Sequence, residues 1–204
     1  MRTATTLILM MAMAISCLSH PSYGIVVNKY GEIIFCDVLH HDGTLWKIDR
    51  QGQLSTLLTG EHCHFIHQDP EGNIWGTQHE YLPQTDGNRN SLWKYTHAGR
   101  KVTVISPTED PRAFSGQNFA VIDNAVYYNY EHRIYRRSPG GTPELLLDRD
   151  FGRIMSLQRD SRGNLYVVSN DTNGGSVYRI TPDKRVFTVA DDLLEAKPGD
   201  PPFE

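Results

Sequence analysis

The stretch GEHCHFIHQDPEGNIWGTQHE, Gly60 to Glu80, holds His62, His64, His67 and His79, four of the nine histidines in the chain. His40 and His41 lie shortly before it. Imidazoles gathered in this way can ligate a zinc-type or other transition-metal ion or act as general bases. They can also simply pack within a histidine-rich β-structure. Asp37, Glu80 and Asp171 add carboxylates, and Glu, Asp and Asn oxygens suit calcium. The sequence contains no His-Glu-x-x-His motif, Ser-His-Asp grouping, P-loop or CxxC framework. The chemistry open to the histidines therefore depends on the elements that position them.

Those elements form a repeat. The first unit is NKYGEIIFCDVLHHDGTLWKIDRQGQLSTLL, from Asn28, and the second is QDPEGNIWGTQHEYLPQTDGNRNSLWKYTHAGRKVTVI, from Gln68. The third is VIDNAVYYNYEHRIYRRSPGGTPELLL, from Val121, and the fourth is RDSRGNLYVVSNDTNGGSVYRITPDKRVFTVA, from Arg159. In each, a polar turn leads into a short aromatic and β-branched run. A variable polar loop, a second run with an aromatic, another turn and a last apolar run follow. The second-run aromatics are Trp46, Trp93, Tyr135 and Tyr178, in steps of roughly forty to fifty residues, the length of one four-stranded blade. A preceding apolar stretch completes each unit: Ile25–Val27, Cys63–Ile66, Phe119–Ile122 and Ile154–Leu157. No segment keeps helical apolar spacing over three turns, so the chain is expected to be all-β.

Such a sheet has two apolar faces and cannot hide both alone. Stacked radially around an axis, each sheet covers its neighbours. The expected fold is a β-propeller with four visible four-stranded blades over residues 25–190: an incomplete ring, a four-bladed ring, or an arc whose open face finds a partner. Trp46, Trp75 and Trp93 are expected between blades. Residues 191–204, DDLLEAKPGDPPFE, read as a connection toward a further blade or as a tail.

The ends and the composition bound the cellular context. Arg2 precedes an uncharged apolar run, Leu7 to Ile15, too short to span a bilayer and followed by small residues. Residues 1–24 thus read as a signal peptide ending at Ser22-Tyr23-Gly24. The alternative is a lipobox, AISC, that would leave Cys17 acylated and the protein tethered to a membrane. Both place the mature chain outside the cytoplasm, secreted or periplasmic in the first case. Cys36 and Cys63 could pair there or remain separate buried thiols. With 22% charged residues, net charge −4 and scattered Lys and Arg, no nucleic-acid partner is expected.

The pattern D-x-x-G-N-(L/I)-(Y/W), followed by V-Y-R-I-T-P-D, is carried by Asp160–Lys184 and Asp69–Lys94. It resembles NHL-type propellers and the six-bladed gluconolactonase and senescence-marker-protein superfamily. The resemblance implies a divalent cation, held by Glu, Asn and Asp at the channel mouth, that polarises a lactone carbonyl. By position Asn118 and Asp171, or Asn170, would take such roles. The first blade, opening YGIVVNKYGE, has no matching Glu. Streptogramin-lyase-like propellers place a His at the start of the innermost strand, where His64 stands, although their Pro-His-Gly is absent here.

With strands labelled A to D from the axis outward, the D-to-A connections and B-to-C loops share one rim by antiparallel alternation. That rim is expected to collect a metal set of His64, Asn118 and Asp171, for calcium or zinc. Ligand-binding residues there would be His40, His41, His62, Arg153 and Asn170. His79, Glu80 or Asp171 would act as base. His79 and Glu80 are expected to open a long B-to-C loop reaching about Asn90, and His67, of opposite strand parity, to sit between blades. The expected function is binding of a small molecule, a glycan or a protein partner at this mouth. A cation-dependent lactone or ester hydrolase is the alternative, and an interaction scaffold the third. If no site exists, the histidines only pack.

Overall fold

The computed structural model describes residues 24–171 and 174–191, with the Asp171 side chain left out. Residues 1–23, where the export signal or the alternative lipobox at Cys17 is expected, lie outside the described residues, as does all of the C-terminal segment after Asp191. No helix among the described residues is long and apolar enough to cross a membrane.

Four antiparallel sheets follow one another along the chain, each made of four consecutive strands. Blade 1 holds β1 (Ile25–Val27), β2 (Ile33–Asp37), β3 (Thr44–Ile48) and β4 (Leu54–Thr59). Blade 2 holds β5 (Ile66–Gln68), β6 (Ile74–Leu82), β7 (Gly87–Tyr95) and β8 (Lys101–Thr108). Blade 3 holds β9 (Phe119–Ile122), β10 (Ala125–Tyr130), β11 (Arg133–Arg137) and β12 (Glu144–Leu145). Blade 4 holds β13 (Arg153–Arg159), β14 (Leu165–Asp171), β15 (Gly174–Ile180) and β16 (Val186–Ala190). The first strands pack in series, β1 on β5, β5 on β9 and β9 on β13, which places them innermost around an axis.

The repeated turn explains the repeated motif. Asp69 caps the A-to-B turn of blade 2: its Oδ1 accepts the Asn73 amide at 2.8 Å, while its Oδ2 accepts Asn73 Nδ2 and Trp75 Nε1, both at 2.8 Å. Asp160 repeats this in blade 4, taking the Asn164 amide at 2.9 Å, Asn164 Nδ2 at 2.7 Å and the Tyr166 hydroxyl at 3.4 Å. Gly72 and Gly163 stand at φ 88° and 78°, a region that favours glycine. The Asp, Gly, Asn and aromatic of the motif are thus one hydrogen-bonded unit. Burial would raise the Asp69 carboxyl, but the bonds from Trp75 and Asn73 outweigh it and hold it below the usual carboxylate range.

Strand alternation builds three separate cores. Ile74 and Trp93 turn toward Ile34, Cys36 and Leu45 of blade 1. Their neighbours Trp75 and Leu92 turn the other way, toward Phe119, Val121 and Tyr128 of blade 3. Ala120 and Ile134 then meet Ile154, Leu157, Leu165 and Val167 of blade 4. Both cysteines are buried in the first junction. Burial, then the neighbouring Cys36, pushes the Cys63 thiol up.

Trp46 departs from expectation. It lies on the far face of blade 1, in register with Phe35 and Ile25, and no blade covers that face among the described residues. Ile25, Val27 and Leu54 are accordingly 63%, 64% and 57% exposed. Trp75 and Trp93, by contrast, are buried between blades as expected.

Candidate functional site

The lead-in segments to the A strands and the B-to-C connections share a rim. There a cavity of about 860 Å³ opens over blades 3 and 4. Phe65, Ile154 and Met155 give it apolar wall, and Asn118, Asn129 and Arg153 give it polar wall. Glu131 and His132 border it from the tight B-to-C turn of blade 3, where Glu131 takes φ 52°.

Each polar group has a different state. Asn118 is half-buried, and its Nδ2 donates to the Ile154 carbonyl at 3.5 Å, which ties the blade 3 lead-in to blade 4. Asn129 is 3% exposed, and its Oδ1 is buried with no hydrogen-bond partner. An unpaired buried acceptor of this kind costs about 1–3 kcal/mol. Its backbone is used otherwise: the Ser115 hydroxyl donates to the Asn129 carbonyl at 2.5 Å. Arg153 opens β13, is exposed, and forms no ion pair among the described residues. The register sets it opposite Asn170, and the two share a shallower recess with His132, Asp150 and Tyr178. His132 Nδ1 is 3.2 Å from Asp150.

The expected residues therefore divide into groups. Asn118 and Arg153 share the cavity, and Asn170 lies beside Arg153. His62, His64 and His79 form a second cluster: the rings of His62 and His64 are 4.9 Å apart, and those of His64 and His79 are 5.0 Å apart. Burial first, with the His62 charge adding to it, pushes His79 down to about 4, against the opposing pull of Asn90 and the Gly116 backbone, which favour the protonated ring. His40 is exposed on blade 1, paired with Asp37 and edge-on to Trp46 at 6.0 Å. His41 is exposed in the short 3-10 turn His40–Asp42. None of the three clustered imidazoles, nor His40 or His41, lines the cavity. For Asp171, the backbone pairs with Gly174 and the side chain lies outside the described residues.

Two local expectations are corrected. His79 and Glu80 do not open a long loop. β6 and β7 continue as a paired ladder, with His79 opposite Asn90 and Glu80 opposite Arg89, closed by a short turn after Leu82. Glu80 is exposed and bound to Arg89 at 3.3 Å, so it faces away from the cavity walls. The polarity of QHEYLPQTDGNRN masked its strand character, because an outer hairpin needs no apolar face. The innermost strand of blade 2 is Ile66–Gln68, later than Cys63–Ile66. His67 fulfils its expected place: it is buried, with its ring 6.3 Å from that of Phe119 in blade 3.

Asn129 was not singled out from the sequence. Its signal was there, a lone amide in the strand run Tyr128-Asn129-Tyr130, polar among aromatics.

Four radially stacked antiparallel blades with polar groups gathered at one rim define a β-propeller protein. Solved propellers share this architecture. A streptogramin B lyase superposes with TM-score 0.57 at 18% identity, over 85% of this chain and 55% of that one. A gluconolactonase from Xanthomonas campestris gives 0.57 at 14%, over 81% and 60%. A luciferin-regenerating enzyme gives 0.57 at 13%, over 83% and 61%. The fold is thus the β-propeller expected from the sequence repeat. The chain spans somewhat over half the length of these relatives. No protein-family model and no curated protein sequence matches it.

Proposed function

We propose that the rim cavity over blades 3 and 4 binds a small, oxygen-rich organic molecule such as a sugar acid or a short glycan. The observation that carries this is the buried, unpartnered Oδ1 of Asn129 in the cavity wall. A ligand hydroxyl donating to it would remove a standing desolvation cost. Arg153, exposed and unpaired by any carboxylate among the described residues, suits a ligand carboxylate or carbonyl. Apolar wall from Phe65, Ile154 and Met155 suits the carbon face of a sugar.

The test is calorimetric titration of sugar acids and oligosaccharides against the chain and two variants. Arg153→Ala and Asn129→Ala should each weaken binding about tenfold or more, the value of one hydrogen bond to a charged or buried group. Equal affinity in all three proteins would move the ligand elsewhere.

Cation-assisted lactone hydrolysis at the same cavity is the second reading, and Asn129 supports it too. Asn118, Asn129 and Glu131 all line the cavity and could supply amide and carboxylate oxygens of the kind that calcium takes. A bound ion would polarise a lactone carbonyl. In that reading Arg153 would receive the carboxylate that ring opening releases, and Asn118 ties the blade 3 lead-in to β13. Binding that survives a chelator favours the first reading; binding abolished by it favours the second. On the strength of Arg2 and the apolar run Leu7–Ile15, both readings place this activity outside the cytoplasm, secreted, periplasmic or lipid-anchored through Cys17.

A further inference from the structure

The lead-in to β5 runs beside β6 with one residue too many. The His79 amide donates to the His62 carbonyl at 3.1 Å, and the Thr77 amide donates to the Phe65 carbonyl at 3.4 Å. Three steps of chain, from His62 to Phe65, thus oppose two, from Thr77 to His79, which is a bulge at Cys63 and His64. The bulge brings two side chains to one point: His62 Nε2 and His64 Nε2 are 3.1 Å apart. The third imidazole comes from the paired strand, with the His79 ring 5.0 Å from that of His64. The Nε2 atom of His79 is buried and has no hydrogen-bond partner.

Packing alone leaves the buried Nε2 of His79 without a partner, a standing desolvation cost. A bound ion would supply that partner and draw the third ring onto the facing pair. Two imidazole nitrogens on one tetrahedral zinc ion, with bonds of about 2.0–2.1 Å, stand roughly 3.3 Å apart. The His62–His64 pair is close to that separation. A donor set of imidazoles selects a zinc-class transition ion over calcium or magnesium, which take oxygen.

We propose that His62, His64 and His79 form a three-histidine site for a zinc-class transition-metal ion. Among the described residues no three His, Cys, Asp or Glu side chains yet surround one point. The His62–His64 pair is in place, and the His79 ring completes the site by turning its unpartnered Nε2 toward it. Asn90 and the Gly116 backbone, already against the ring, are the outer partners that would orient it. None of the three histidines lines the rim cavity, so this site and the ligand site stand or fall separately.

The test is titration of the chelator-stripped chain with Co(II) and with Zn(II), the latter in competition with a chromophoric chelator. One equivalent should bind, and the Co(II) form should show the visible bands of a four-coordinate, nitrogen-ligated ion. His64→Gln and His79→Gln should each lower affinity by more than the roughly 10–100-fold that loss of an outer partner costs. His97→Gln, an exposed histidine on the opposite rim, should leave it unchanged. Melting curves of the metal-free variants separate lost ligation from lost folding: equal melting with lost binding supports the site. No stoichiometric binding by the unaltered chain overturns the proposal. So does full affinity in His79→Gln, which would reduce the site to an adventitious pair.

Discussion

Lowering the pH from 7.5 to 4 should destabilise the fold steeply, and replacing His67 with Leu should remove about half of the slope. His67 is buried between blades 2 and 3, and its Nε2 has no partner. Burial, then the nearby Arg159 charge, pushes it down to about 4, against a smaller opposing pull from Asp69. The folded state therefore keeps this ring neutral, while the unfolded chain protonates it near 6.5. Stability is at its full value above about 6.5 and falls as pH drops toward 4, below which the contribution is flat. A gap of this size corresponds to roughly 3 kcal/mol. In the metal-free chain His79, held near the same value, titrates in the same window and contributes to the slope that remains in the variant. Asp69 and Asp160, whose carboxyls are lowered, act only further down, because their contribution is lost as pH falls through their own folded values. Urea unfolding at several pH values checks this. Identical slopes with and without His67 would refute it.

Removing the indole of Trp93 should cost more than any other single truncation at the first blade junction. Trp93 is 1% exposed, and its Nε1 donates to the Thr77 carbonyl at 3.1 Å. Trp93→Ala should lose about 3–5 kcal/mol, from lost burial plus the cavity left behind. That is a large share of the 5–15 kcal/mol typical of a whole domain. Gly76 is the complementary half of the contact. A Cβ placed there would fall inside the Trp93 ring, and its φ is not in the left-handed region, so the glycine is required by space alone. Gly76→Ala should therefore cost about 1–3 kcal/mol. In the Gly76→Ala, Trp93→Ala double variant the two losses should fall well short of additive, since the methyl then occupies the vacated space. Full additivity in chemical denaturation would show that the two positions do not touch.

Most of the architecture was legible because its signals are local. The Asp69 and Asp160 motifs draw their bonds from residues within six positions, so the turn, the strand and the buried aromatic appear together in one stretch of sequence. Trp46 was placed between blades by analogy with Trp93, but covering it depends on a neighbour that the repeat itself does not describe. The hairpin of β6 and β7 was missed because its outer half pairs backbone to backbone and needs no apolar pattern. At the rim, Asn118 and Arg153 were found by counting lead-in segments. Asn129 escaped because its importance lies in a missing partner, and a missing partner leaves no mark in the sequence. The grouping of His79 with His62 and His64 likewise depends on a bulge whose offset only three dimensions reveal.

Each sheet is assembled from four consecutive strands, with none lent to a distant blade. A growing polypeptide can thus finish each of these units before the next has been made. Coupling passes only between adjacent units, so cooperativity should resemble that of a one-dimensional array. Among the described residues, units two and three have neighbours on both flanks, whereas one and four have a single flank covered. Amide exchange should accordingly be slowest in β6, β7 and β10 and fastest in β4 and β16, the gradient of a stack that frays from its ends.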